Sequence, residues 1–517
     1  MKIERTQNAV NNIRAGMFLR IYQMIVPFLM RTAMIYFMGV QYLGLNSLFS
    51  SILQVLNLAE LGVGNAMVFA MYRPIAEDDE KTICALMKLY QRYYRIIGSV
   101  IGVVGVVVTP FIPRLVRDAV PVELNIYILY LLNLGATVLS YWLFAYKNCL
   151  LQAHQMQGVV SKITAFTYTV QCLIQLLILV IYRNYYAYII VTLGTQVLNN
   201  VITAVVATKK YPQYKPCGKL SNKEVSSING KIRDLFTAKL GSVVLKASDT
   251  LVISSFLGLT ALAVYQNYFF ILSSVIAVIE LILSSMIAGL GNSYVLETRE
   301  KNYSDMEKFS FLFLWLTGVC TCCFLGMYQP FMEIWVGTEL MLDFNAVIMF
   351  AIYFFVYTLN RLLNVYKDAA GLWHEDRYRP LITAIVNVCL NLILVRTLGI
   401  YGVILSTVIS MVCVGMPWLL MNLFSLFFER TMLVRYVRQL INQVAIIVIA
   451  SLLVAVFCRH IQGGIWTKFF ACAAISTIVS NLVLFTCLRK NKLFRLAVQF
   501  IDQLTKKKIA LERRLFG

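Results

Sequence analysis

Arg20 and Arg31 lie 11 residues apart in one apolar stretch, and Lys239 and Lys246 lie seven apart in another. At 3.6 residues per turn these spacings put each pair on one helix face. An ionisable group at membrane depth costs roughly 2.5 kcal/mol or more, so it faces a cavity or a partner. Two such stripes lining one cavity would form a cationic path. The cargo that needs such a path is a diphosphate head group, whose charge must be neutralised in low dielectric. Arginine suits bidentate phosphate contacts, and lysine acts as a point charge. Arg361 is a fifth cation of this set.

Simpler roles compete with this one. Arg20, Lys239 and Arg361 lie near one end of their stretches, where long side chains snorkel to the interface. Asp249 follows Lys246 by three residues and would neutralise it on a helix. Glu60 and Glu280 are the acidic counterparts. They would pair with the cations or couple transport to protons or sodium, since intramembrane carboxylates serve as relays.

The elements that carry these groups are membrane helices. Hydrophobic residues make up 59% of the 517, with a mean hydropathy of +0.73, far above a soluble chain. A bilayer core takes about 20 apolar residues per helix. Fourteen stretches qualify, near 15–38, 45–72, 93–113, 123–146, 159–182, 185–207, 233–257, 261–291, 309–329, 343–366, 380–396, 399–428, 437–458 and 464–488. Of 46 Lys and Arg, 35 fall in the two tails and alternate loops, six in the opposite loops and five inside spans. The positive-inside rule then makes both termini cytoplasmic, which an even number of spans allows. The net charge of +21 is thereby a topology signal, and no nucleic-acid partner is expected. The first span is too long for a signal peptide and lacks a small-residue cleavage site, so it should persist as a helix.

The two halves echo each other. Tyr146-Lys147 followed by His154 recurs as Tyr366-Lys367 and His374, an offset of 220. Met38-Gly39 and Ile52-Leu53 recur as Leu257-Gly258 and Ile271-Leu272 at 219, the offset that also carries Arg20 onto Lys239. Glu60 maps to Ile279, beside Glu280. Six spans separate the copies, so the repeat is parallel, about an axis along the membrane normal. The expected fold is an all-α polytopic membrane protein: two pseudo-symmetric six-helix lobes and a C-terminal helix pair. The N-lobe is 1–207, a cytoplasmic linker 208–232, the C-lobe 233–428, the helix pair 429–488 and a basic tail 489–517. Lys506 to Lys508 and Arg513-Arg514 in that tail read as solvated, with contact to anionic lipid as the alternative.

Two stretches carry a family resemblance: YLGLNSLFSSILQVLNLAELGVGNAMVFAMYRPIAEDD (42–79) and PLITAIVNVCLNLILVRTLGIYGVILSTVIS (380–410). They resemble the polysaccharide-exporting branch of the multidrug/oligosaccharidyl-lipid/polysaccharide (MOP) superfamily, the Wzx-type flippases and Firmicute sugar translocases. The resemblance runs over essentially the whole chain and implies fourteen spans. It also implies translocation of an undecaprenyl-pyrophosphate-linked oligosaccharide to the outer leaflet of the bacterial plasma membrane. Membrane lipids, and the glycosyltransferases and polymerase of the same pathway, are the implied partners. A peptidoglycan lipid II flippase and a MATE-like antiporter are the alternatives.

Enzymatic readings find no support. The three histidines fit no metal motif, and no phosphate-binding glycine loop is present. No cofactor or metal is expected. Cys320 and Cys323 form a C-x-x-C only within an apolar stretch, where packing is the expected role.

Overall fold

The computed structural model describes residues 5–117, 120–121 and 123–504. It is all-helical, with no strand among the described residues. Thirteen helical stretches among the described residues are long and apolar enough to cross a membrane. A fourteenth follows when Ile126–Trp142 is joined to Ala145–Ala153, which is bent from it by 49°. The chain is a multi-pass membrane protein, and large apolar side chains face outward along its helices, as Val103, Val107, Ile441 and Leu452 do. Lipid is the solvent that such surfaces require.

The helices divide into two compact units, Met1–Gln266 and Asn267–Gly517. The first begins with α1 (Arg5–Phe37), which runs unbroken through Pro27. Next come α2 (Val40–Leu56), α3 (Val63–Ala76), α4 (Glu80–Val108) and α5 (Ile126–Trp142). The short α6 (Asn148–Ala153), then α7 (Gln157–Leu177), α8 (Tyr185–Lys210) and α9 (Asn222–Leu257), complete it. Side-chain caps set the starts. Asp79 accepts from the Thr82 amide at α4, Asn125 from Tyr127 and Ile128 at α5, and Asn184 from Ala187 at α8. Each satisfies amide donors that a helix N-terminus leaves open. Pro110 stands at the start of the 3₁₀ segment Thr109–Leu115 that ends α4.

The connection expected at 208–232 is helical in its second half. A reciprocal Ser221–Glu224 capping box opens α9 there, and Pro212, Pro216 and Gly218 occupy the non-helical stretch before it. Both α1 and α9 pack against α2, and α9 also packs against α3.

In the second unit α10 (Leu259–Leu296) continues from the first, followed by α11 (Arg299–Val336) and α12 (Phe344–Ala369). Then come α13 (Arg379–Leu398), α14 (Ile400–Ser410) and α15 (Met416–Leu426). A wide turn at Met411–Gly415 separates α14 from α15, and Pro417 follows it. The final pair, α16 (Arg430–Arg459) and α17 (Ile465–Leu488), packs on α11 around Cys322, Ala450, Val454, Cys458 and Cys472. Cys320, Cys322 and Cys323 are free thiols, as the other described cysteines are.

The basic tail departs from a fully solvated segment. Its first part folds as α18 (Lys492–Leu504), and Phe494, Ala497 and Val498 pack on Phe311, Ile447, Leu484 and Leu488. Strong amphipathicity explains this: one face is apolar and finds an apolar groove. Lys506 to Lys508 and Arg513-Arg514 lie outside the described residues.

Candidate functional site

Within the span read near 45–72 the helix is interrupted. Its helix gives way to a 3₁₀ turn at Asn57–Glu60 and restarts at Val63. Gly62 makes the break, with φ +89°, in the left-handed region that glycine tolerates best. It also lies against α9, where a Cβ would come within 2.7 Å of the Leu235 Cβ. Broken membrane helices expose backbone groups only where protein or a cavity receives them.

The break aims Glu60 at two phenols. The Tyr94 hydroxyl donates to Oε1 at 2.5 Å and the Tyr141 hydroxyl to Oε2 at 2.5 Å. Tyr90 donates in turn to the Tyr94 oxygen at 2.7 Å. Tyr90, Tyr94 and Tyr141 are all buried. The carboxylate is thus held by neutral donors, each a charge-assisted hydrogen bond.

Beside it opens a cavity of about 400 Å³. Its wall takes Asn57 and Glu60 from the break, Tyr141 from α5, Asn148 from α6, and Gln196, Asn199 and Asn200 from α8. Several wall groups are fixed: Asn200 donates to the Ser140 carbonyl at 2.9 Å, and Asn199 accepts from Thr167 at 3.1 Å. The Asn148 Oδ1 is buried and has no hydrogen-bond partner among the described residues.

The other ionisable groups anticipated from sequence lie on α1, α9, α10 and α12. Arg20 is exposed on α1; Arg31 is half-buried near Tyr188. On α9, Lys239 is half-buried, Lys246 exposed and Asp249 buried, with the Tyr265 hydroxyl at 3.5 Å from the Asp249 carboxylate. In the second unit Glu280 lies 3.0 Å from the Arg361 Nε, without the alignment of a hydrogen bond. The Tyr357 hydroxyl donates to Glu280 at 3.2 Å. The Arg73–Glu77 pair in the last turn and C-cap of α3, at 2.8 Å, is exposed and spans one helical turn.

Sequence reasoning overlooked the neutral polar groups. The adjacent Asn199-Asn200 and the i,i+4 pair Gln171/Gln175 inside apolar spans were the available signal. It also passed over a buried ion cluster in the second unit. Arg379 grips Asp376 through Nε at 2.6 Å and a terminal nitrogen at 2.7 Å, with Lys367 3.6 Å away. The 380–410 stretch proves to be a packing device. Asn387 donates to Thr407 at 2.8 Å and Asn391 to Asn387 at 3.2 Å, while Ser406 donates to Asn391. Gly402 leaves room for the Leu394 carbonyl.

No family model and no curated protein matches the chain. Solved structures do. A structure described as lipid II flippase MurJ in an inward closed conformation aligns with TM-score 0.67 at 13% identity, covering 93% of this chain and 99% of that one. The chain has the fold of that structure. An inward-facing multidrug resistance MATE family transporter of the MOP superfamily aligns with TM-score 0.60 at 12% identity, over 81% of this chain and 99% of that one. A MOP superfamily transporter from Pyrococcus furiosus aligns with TM-score 0.52 at 12% identity, over 80% and 94%.

Proposed function

We propose that the protein is a flippase. It carries an undecaprenyl-pyrophosphate-linked oligosaccharide from the inner to the outer leaflet of a bacterial plasma membrane, by alternating access, for capsule or another surface polysaccharide. The observation that carries the reading is the breadth of the likeness to a lipid flippase, 93% of the chain. The whole MATE transporter, by contrast, accounts for 81% of it. The 42–79 and 380–410 stretches favour the polysaccharide branch. Arg20, Arg31, Lys239, Lys246 and Arg361 supply the cations a diphosphate needs in low dielectric. Both termini are cytoplasmic, and the pathway's glycosyltransferases and polymerase are partners.

The same likeness favours a second reading, a lipid II flippase, because the lipid carrier is the same. Deleting the gene separates the two. Loss of surface glycan with intact peptidoglycan supports the first, and lysis with normal surface glycan supports the second. Normal growth with unchanged glycan and peptidoglycan defeats both. In the first case Arg31→Ala and Lys246→Ala each reduce export at unchanged expression; normal export by both removes the cationic path. Cysteine labelling from outside reaches Thr338→Cys and spares Leu220→Cys, and the reverse pattern overturns the orientation.

A further inference from the structure

The cavity beside Glu60 has a chemistry unlike that of a diphosphate site. No lysine or arginine lines it among the described residues. Its polar wall is made of amides, from Asn57, Asn148, Gln196, Asn199 and Asn200, with the hydroxyls of Ser140, Thr164 and Thr203. An amide side chain offers a donor and an acceptor at one point. That matches a ligand hydroxyl, which both gives and takes a hydrogen bond. The Tyr141 and Phe144 rings add apolar faces, as the C–H faces of a sugar ring require.

Size points the same way. At about 30 Å³ per water, 400 Å³ holds roughly a dozen. A bare cation needs far less space and several oxygens free to ligate it. Here one carboxylate is present, and both of its oxygens already accept from phenols. The volume falls within the range that takes small organic ligands, ~300–1,000 Å³.

We propose that this cavity is a glycan subsite, taking one or two neutral sugar rings of the cargo while its diphosphate is neutralised elsewhere. The proposal rests on the reading of the protein as an exporter of lipid-linked glycan. Asn148 and Gln196 make the contacts. The Asn148 Oδ1 is buried without a partner among the described residues, and the Gln196 side chain is exposed beside it. Asn199, Asn200 and the Glu60 clamp hold the wall. The cavity shares Phe144 with a groove lined by Lys147, Thr208 and Lys209, at the end of α8 that carries Lys209 and Lys210. By the positive-inside rule that is the cytoplasmic side, where such a glycan is made.

The test uses the full-length protein in lipid nanodiscs. The probes are the methyl glycosides of N-acetylglucosamine, glucose and galactose, followed through the thermal midpoint. At least one glycoside raises the midpoint saturably in the millimolar range. Asn148→Leu and Gln196→Leu, which remove no described protein hydrogen bond, each weaken that response at least tenfold. Exchange of sodium for choline leaves the midpoint unchanged. The subsite is overturned if no glycoside acts, if the response survives both substitutions, or if sodium alone shifts the midpoint and Glu60→Gln abolishes that shift. Reconstituted flipping of a polyprenyl-diphosphate oligosaccharide separates the two levels. Wild type that does not flip defeats the flippase reading. Wild type and both variants flipping at equal rates defeats only the subsite.

Discussion

Positions matched by the 219–220 offset are treated in opposite ways by the two units. In the first, Glu60 is held by Tyr94 and Tyr141, His154 lies against the Tyr211 and Tyr214 rings, and Lys147 reaches Thr208 at 2.6 Å. In the second, Glu280 lies against Arg361, His374 is exposed beside Arg377, and Lys367 sits between Asp368 and Asp376. At Glu60 and Lys147 the first unit supplies neutral hydroxyls; at Glu280 and Lys367 the second sets charge against charge. Neutral donors hold Glu60 next to a polar cavity, whereas Glu280 is set against a cation. A repeat can therefore keep its helix plan while one copy retains a polar site and the other spends the same positions on internal bracing.

The largest effect expected from this contrast is at Asp376, which is 2% exposed. Asp376→Ala strands the buried Arg379 guanidinium and should cost about 4 kcal/mol. Its counterpart test, Thr208→Val at Lys147, should cost under ~1 kcal/mol because the ammonium is free to rehydrate. Both are read as the temperature at which the detergent-solubilised protein loses its monodisperse peak. Equal losses would erase the distinction.

Glu60→Leu comes next. It removes the acceptor of two buried phenols, worth about 3 kcal/mol. Tyr94→Phe and Tyr141→Phe should each cost about 1 kcal/mol and combine non-additively with Glu60→Gln. Additive losses would mean that the three side chains do not act together.

The histidines give a pH test. His154 is 3% exposed, with its ring 4.1 Å from that of Tyr211 and its Nδ1 2.8 Å from the Leu150 carbonyl. Burial lowers its pKa below the ordinary value. The folded state then binds the proton less readily than the unfolded one. Stability should fall as pH drops below about 6.5 and level off once the folded pKa is passed. His154→Gln should flatten that slope, while His374→Gln, at an exposed position, should change stability by under ~0.5 kcal/mol. An unchanged slope in His154→Gln would assign the acid sensitivity to other groups.

The smallest effect is at Glu280–Arg361, whose side chains are 28% and 41% exposed. A double-mutant cycle should give a coupling of ~0.2–1 kcal/mol. A coupling several times larger would mark this pair as a second closed site, like Glu60.

Much of the plan was readable in the residue string. Apolar runs of about 20 residues have one use in a chain this hydrophobic, and each of the fourteen appears as a helical stretch, the fourth bent near its end. The ionisable residues inside those runs were equally visible, because charge among leucines is conspicuous. Asn57, Asn148, Gln196, Asn199 and Asn200 were not. They are neutral, they come from the helix break, α6 and α8, and the helical spacing of Gln196 with Asn199 and Asn200 carries no charge to draw attention to it. Tyr94 and Tyr141 look like ordinary interfacial aromatics until Glu60 is placed between them.

The amino-acid order alone thus determined an all-helical membrane chain and where its charges lie along each helix. Those properties follow from local hydrophobicity and the length needed to cross a bilayer. Which charges meet a partner was decided only by packing. The left-handed turn at Gly62 re-aims Glu60, and side chains 34 and 81 residues away close on it. Hydrogen bonds depend on distances and angles between separate helices, and no local pattern encodes those.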